Sequence, residues 1–494
     1  MDTGRARRWC ALLAVAAVAA ACCCGWAQEE DPGVVQFREG VAHYEQDRLE
    51  EARDAFTAAL ETRPDDPTIL CWLGLVSLKL GETEAAIEHL TRAIELDPEY
   101  AVSYNNLGNA YLAAGEMAQA EEMYLKALEK DPQYLDAQYN LGNLYARQEQ
   151  YEKAFNAYNR ALDIAPNDFE THVSFGHALR KVGDTEKAIR EFEAARKINP
   201  DDPSVLTVLG TLYVKAGNTE AATNAYQAAL GSDPEIVEAH VGLGLALYNA
   251  GNYAEAVEHW QTAAELDNTS FAARYNMGLA HAAMGDYARA AEAYGEALKI
   301  RPYDANTLNN LGWALYEQDK AEEAAGYFRQ AIAANPDLKV SHLNLALALE
   351  KAGKKDEALA QWQDLVSRFP ETAAAHCGLA NLYYERGEFE KALQEYSRTL
   401  ELEPQNLEAH NNAGLIYYRR DNLTEAIVHF RAALKADPNY VYALNNLGAA
   451  LEKQGDLDAA LESYRKVLQI QPDYAPAKRN VERLESKLQE TETQ

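Results

Sequence analysis

The chain has 494 residues, with 46 Lys and Arg against 77 Asp and Glu, and a formal net charge of −31. An acid excess of this size repels phosphate backbones, which are bound through clustered Lys and Arg, and so argues against a nucleic-acid partner. Six cysteines, four of them in the first 24 residues, leave only Cys71 and Cys377 beyond and supply no disulfide framework.

In chain order the first segment, residues 1–27, stands apart. Arg5, Arg7 and Arg8 precede an apolar run from Trp9 to Ala21, followed by Cys22, Cys23, Cys24, Gly25, Trp26 and Ala27. A basic stretch, a short apolar stretch and small residues before a polar start form the layout of an export signal. The run is shorter than the ~20 residues of a spanning helix. Three readings stay open. Cleavage after Ala27 frees a soluble chain from Gln28; Ala19-Ala20-Ala21-Cys22 resembles a bacterial lipobox, which implies a lipid on Cys22; or the segment is retained as an anchor. The expected location is exported: periplasmic, or membrane-anchored through the N-terminus. Residues 28–32 form a spacer.

From Gly33 to Tyr474 the sequence repeats every 34 residues, thirteen times, without insertion or deletion. Fixed-period self-similarity marks a stack of small units rather than a globular enzyme. Position 20 is Ala in every repeat, from Ala52 to Ala460. Position 8 is Gly except at Ala346 and Ala380, position 24 is aromatic except at Leu90, and position 32 is Pro except at Asn268. Positions 4, 7, 8 and 11 form one helical stripe, as in Tyr104, Leu107, Gly108 and Tyr111. Positions 20, 24 and 27 form a second, as in Ala154, Tyr158 and Ala161. Between them position 15 is Gly in nine repeats, a residue suited to the left-handed turn that ends a helix. Proline near the end of the unit stops the second helix from running into the next repeat. Each unit therefore reads as helix A, turn, helix B, loop. Residues 475–494 carry Val481, Leu484 and Leu488 at helical spacing among charges and read as a C-terminal capping helix.

These columns resemble the tetratricopeptide repeat family over about nine-tenths of the chain. The resemblance implies an all-α fold, a right-handed superhelical solenoid of thirteen helix-turn-helix repeats plus the capping helix. It also implies that the A helices line a concave groove that binds extended peptides or partner helices.

No sequence pattern gives catalysis or a cofactor a home. The histidines fall on framework columns: His172, His240, His342, His376 and His410 at position 4, His89, His259 and His429 at position 23, His43 and His281 at position 11. No metal site is expected, because even the consecutive trio His342, His376 and His410 stands on helices ~8–10 Å apart, far beyond the ~2 Å of a zinc–nitrogen bond.

Three groups of groove residues are candidates for partner binding. The first is an asparagine row: Asn105, Asn106, Asn109, Asn140, Asn143, Asn276, Asn309, Asn310, Asn344, Asn381, Asn411, Asn412, Asn445 and Asn446. An amide both donates and accepts, so such a row suits a peptide backbone; it is similar to the ladder in the peptide-binding arm of O-linked N-acetylglucosamine transferases. The same residues also suit local bonding between helices, and the row is broken at Ser174, Val208 and Gly242. The second group is basic: Arg147, Lys181 and Lys215 at position 13, with Arg180 and His177. It reads either as compensation of helix dipoles or as capture of carboxylates on an acidic partner. The third is aromatic: Trp313, Tyr316, Tyr384 and Tyr418, residue types that anchor interfaces. The expected function is a non-catalytic scaffold for protein or peptide partners, in envelope-associated assembly. The alternatives are a substrate-recruiting subunit of a glycosyltransferase, or groove binding of a glycan or small molecule.

Overall fold

The computed structural model describes residues 31–492. The expectations for the export signal, for Cys22 and for residues 28–30 lie outside these residues. Among the described residues there are 27 helices and no strand, and the fold is an all-α solenoid. No helix among them is long and apolar enough to cross a membrane.

The chain divides into two compact units, one ending at Ala246 and the other starting at Leu247, within helix Val237–Asn249. In the first unit the fourth repeat serves as the pattern. Its A helix spans Leu135–Arg147 and its B helix Tyr151–Ile164. The B helix buries Ala154, Tyr158 and Ala161, the stripe expected of positions 20, 24 and 27. All thirteen residues at position 20 are fully buried alanines, and every residue at position 24 is at most 2% exposed.

The glycine at position 8 explains how the two helices of a repeat come together. A Cβ on Gly142 would lie 2.7 Å from the Tyr158 ring, and one on Gly108 would lie 2.6 Å from the Tyr124 ring. No side chain fits there. The same approach recurs in the second unit, between Gly312 and Phe328 and between Gly414 and Phe430. Where position 8 is Ala346, the glycine moves to the next repeat, and Gly378 now makes room for the Trp362 ring. Trp362 donates its indole hydrogen to Glu350 at 2.5 Å.

Where position 4 is Tyr or His, it joins the repeat to the one before it. In the first unit Tyr104 donates its hydroxyl to the carbonyl of Pro98 at 3.2 Å, and His172 Nε2 lies 3.0 Å from the carbonyl of Pro166. In the second unit His342 and His376 reach Pro336 and Pro370 at 3.0 Å, and His410 reaches Pro404 at 3.1 Å. These prolines, which interrupt the helices, thus keep their carbonyls satisfied. After the last repeat a helix spans Ala475–Glu492. It buries Ala477 and Leu484 against Leu461, Tyr464 and Val467.

The turn after helix A is left-handed in every repeat, including those without glycine. Nine glycines have φ between 74° and 100°, while Asp47, Glu149, Asp319 and Asp421 have φ of 59° to 66°. Aspartate tolerates this region; glutamate has no such advantage and carries a cost of about 1–2 kcal/mol. Glu149→Gly is therefore expected to stabilise the fourth repeat by about 1 kcal/mol net of glycine's entropy. Urea denaturation followed by circular dichroism measures it, and an unchanged or lower midpoint contradicts the strain.

Candidate functional site

The exposed face of the A helices carries the three candidate groups, and the structure treats them differently. Most of the asparagine row is closed upon itself. Asn140 donates its amide to Asn105 Oδ1 at 2.9 Å, thirty-five residues earlier on the preceding A helix. Asn106 reaches Cys71 Sγ at 3.5 Å in the same register. In the second unit Asn344 and Ser341 both donate to Asn309 Oδ1 at 3.1 Å, Asn310 donates to Tyr275 Oη at 3.2 Å, and Asn446 donates to Asn411 Oδ1 at 2.9 Å. Asn105, Asn106, Asn309, Asn344 and Asn411 are buried. Of the two uses open to these amides, the structure places these in bonding between successive A helices. The break at Ser174 is bridged by Tyr139, whose hydroxyl lies 3.2 Å from Ser174 Oγ. Asn276 is half-buried in the eighth repeat.

Position 9 follows another logic. Tyr124 donates its hydroxyl to Asn109 Oδ1 and Tyr158 to Asn143 Oδ1, each at 2.7 Å. Tyr396 does the same to Asn381 at 2.6 Å, and Asn412 donates to that oxygen at 3.1 Å. Burial raises Tyr124 and Tyr158 far above the ordinary phenol range, so their hydroxyls stay protonated and need an acceptor. The sequence carried this signal. Where position 24 is Phe, position 9 is Val41, His177, Trp313 or Leu415 instead of Asn.

The aromatic group is partly covered. Lys351 lies 4.3 Å from the Tyr316 ring centroid and pairs with Asp319 at 2.7 Å. Lys453 lies 5.1 Å from the Tyr418 ring and pairs with Asp421 at 2.6 Å. Arg419 lies 5.4 Å from the Tyr384 ring. In each case a position-13 cation reaches back to the aromatic at position 12 of the previous repeat. Trp313 stacks on Tyr316 with ring centroids 5.1 Å apart and remains 36% exposed.

The basic group lacks these partners. Arg147, Arg180, Lys181 and Lys215 are exposed and form no ion pair or ring contact among the described residues. His177 stands edge-on to Phe192 at 5.0 Å; burial, helped by Arg180, pushes its pKa down.

The framework histidines titrate in opposite senses. For His172, burial lowers the pKa, but hydrogen bonds to Glu191 at 2.7 Å and to the Pro166 carbonyl outweigh it, and the pKa is raised. For His429, burial and then His410, whose Nδ1 lies 3.1 Å from its own, push the pKa down against a weaker pull from Glu425. Stability from His172 is present below the unfolded value of about 6.5 and is lost as pH rises through the folded one. His429 destabilises as pH falls below about 6.5 through its depressed value, when the unfolded chain takes up the proton more readily.

Two outcomes follow. Acidification from pH 7.5 to 5 lowers amide-exchange protection in the twelfth repeat but not in the fourth, which holds no histidine, after correction for intrinsic rates; equal loss in both contradicts the assignment. Asn309→Ala leaves the Asn344 and Ser341 donors unpaired and costs about 1–3 kcal/mol. A denaturation midpoint that does not move returns Asn309 to the list of groups open to a ligand.

Among known proteins, a family model described as Tetratricopeptide repeat matches residues 37–101, 105–169, 173–222, 207–272, 275–338, 343–406 and 377–441, and a second model of that description matches 441–474. No curated protein matches the sequence. Similar solved structures include MamA, with 26% identity over 34% of this chain and 92% of that one and a TM-score of 0.33. YrrB, described as a TPR protein with an unusual peptide-binding site, has 26% identity over 38% and 96%, with a TM-score of 0.36. Yeast Tom70 has 18% identity over 94% and 97%, with a TM-score of 0.35.

Proposed function

The chain belongs to the tetratricopeptide repeat family, and from that premise we propose that it is a non-catalytic scaffold binding partner proteins or peptides along the face of its A helices, in a concave groove. Repeats of this family are protein-interaction modules. One observation carries the reading. The polar groups between helices are largely satisfied internally, yet four cations on A helices of the first unit and Trp313, at 36% exposure, on an A helix of the second stay open. An exposed Trp stacked on a Tyr that a Lys already holds is a rigid anchor, which loses little entropy on binding.

The reading as a substrate-recruiting arm of a glycosyltransferase draws on an open asparagine row. The bonding of those amides to one another removes most of its support. An exported location, with Cys22 lipidated or the chain cleaved after Ala27, remains part of the proposal and rests on the leader sequence alone.

The test is affinity capture with crosslinking and mass spectrometry of the full chain in its native envelope fraction. Specific protein partners are expected, and Trp313→Ala should weaken capture by about tenfold, the value of one ~1.4 kcal/mol anchor. Cys22→Ser should shift the protein from the membrane to the soluble fraction. A wild-type chain that captures no protein rejects the scaffold reading. A Cys22→Ser chain that fractionates like the wild type rejects lipidation.

A further inference from the structure

The four unpartnered cations belong to the A helices Leu135–Arg147, Phe169–Lys181 and Pro203–Lys215, in consecutive repeats of the first unit. Elsewhere a basic residue at position 13 is consumed locally. Lys79 lies 4.6 Å from the Tyr44 ring, Arg419 lies over Tyr384, and Lys351 and Lys453 each take an aromatic ring and an aspartate of the previous repeat. In the basic strip the residues that would consume the charge are missing. Ahead of Arg147 stand Leu112 and Gly115, ahead of Lys181 stand Ala146 and Glu149, and ahead of Lys215 stand Arg180 and Gly183. Glu149, the one acid among them, pairs with none of the strip. Compensation of helix dipoles explains a cation at position 13, but not the loss of its ring in three repeats running. Nor does it explain a second cation, Arg180, where the ring would be.

The neighbouring groups point the same way. A buried tyrosine hydroxyl must donate, so Tyr158 holds the oxygen of Asn143 inward. The Asn143 NH₂, which makes no bond among the described residues, is left to donate, and Tyr124 sets Asn109 in the same way. The strip therefore offers hydrogen-bond donors and positive charge within a chain of net charge −31.

Resting on the scaffold reading, we infer that Arg147, Arg180, Lys181 and Lys215, with the amide of Asn143, form a docking strip for an extended acidic segment, rich in Asp or Glu, of a partner protein. Helices packed ~8–10 Å apart make three repeats span ~20 Å, the length of about six extended residues. Carboxylates suit this strip better than a nucleic-acid backbone. Four cations serve a short run of single charges, while the acidic remainder of the chain repels a long phosphate backbone.

The test uses the full chain and a fluorescein-labelled decaglutamate peptide, with decalysine and an oligothymidine of equal length as controls, read by anisotropy. Saturable, salt-sensitive binding of decaglutamate is expected, weakened about tenfold by Arg147→Gln, Arg180→Gln, Lys181→Gln and Lys215→Gln together, as four exposed ion pairs imply. Decalysine binding should not weaken. The melting curve should stay within a degree or two, since none of the four side chains is buried. Absent decaglutamate binding, equal binding by the fourfold variant, or tighter strip-dependent binding of oligothymidine each overturns the inference. Repeating the native capture with the variant separates the two readings. Partners that the variant retains undiminished sink the acidic strip and leave the scaffold standing, whereas a wild type that captures none sinks the scaffold.

Discussion

The fold depends on one steric fact, repeated along the chain: helix A approaches helix B closely enough for its backbone to touch an aromatic face. Gly142 against Tyr158 and Gly312 against Phe328 leave no room for a methyl group. With a fully buried alanine at position 20 beside them, the B helix presents one large ring and small neighbours, and the ring fills the space that the small residues open. The constant register of position 8 against position 24 follows. Another spacing between them would rotate the ring away from its glycine. Repeat ten shows that the rule concerns cleared space rather than a fixed position, since Trp362 finds its glycine at Gly378 one repeat later.

Where the fold was legible in the sequence, it was so because hard packing allows few residue types. Columns of Gly, Ala and aromatic residues have one physical reading, and the helices came where the stripes placed them. The left-handed turns at Asp47, Glu149, Asp319 and Asp421 were hidden, because their residue types do not announce a positive φ. Only the constant register exposes them. For Asp319 and Asp421 the structure adds a reason, an ion pair with the lysine thirty-two residues on.

The site was less legible, because a polar side chain names its chemistry without naming its partner. An asparagine on a helix face reads the same whether it meets a ligand, as a peptide-binding row requires, or another asparagine, as Asn140 meets Asn105. Histidines were easier. Their shared column pointed to framework work, and the proline carbonyls at 3.0–3.1 Å show which bond they make. What the sequence withheld was the difference between Lys351, which is occupied, and Lys215, which is not. That difference lies in the repeat before each of them.

The clasp made by Tyr316, Asp319 and Lys351 is divided between two neighbouring repeats, ring and carboxylate in one, ammonium in the other. Its halves match only where a unit with the ring and the carboxylate precedes one with the lysine, as it also does at Tyr418, Asp421 and Lys453. Exchanging or duplicating a unit at that seam would keep every glycine and alanine in place yet bring together edges that do not belong side by side. Such clasps label the seams of an otherwise uniform stack, and they restrict how its units can be shuffled as the gene lengthens or shortens.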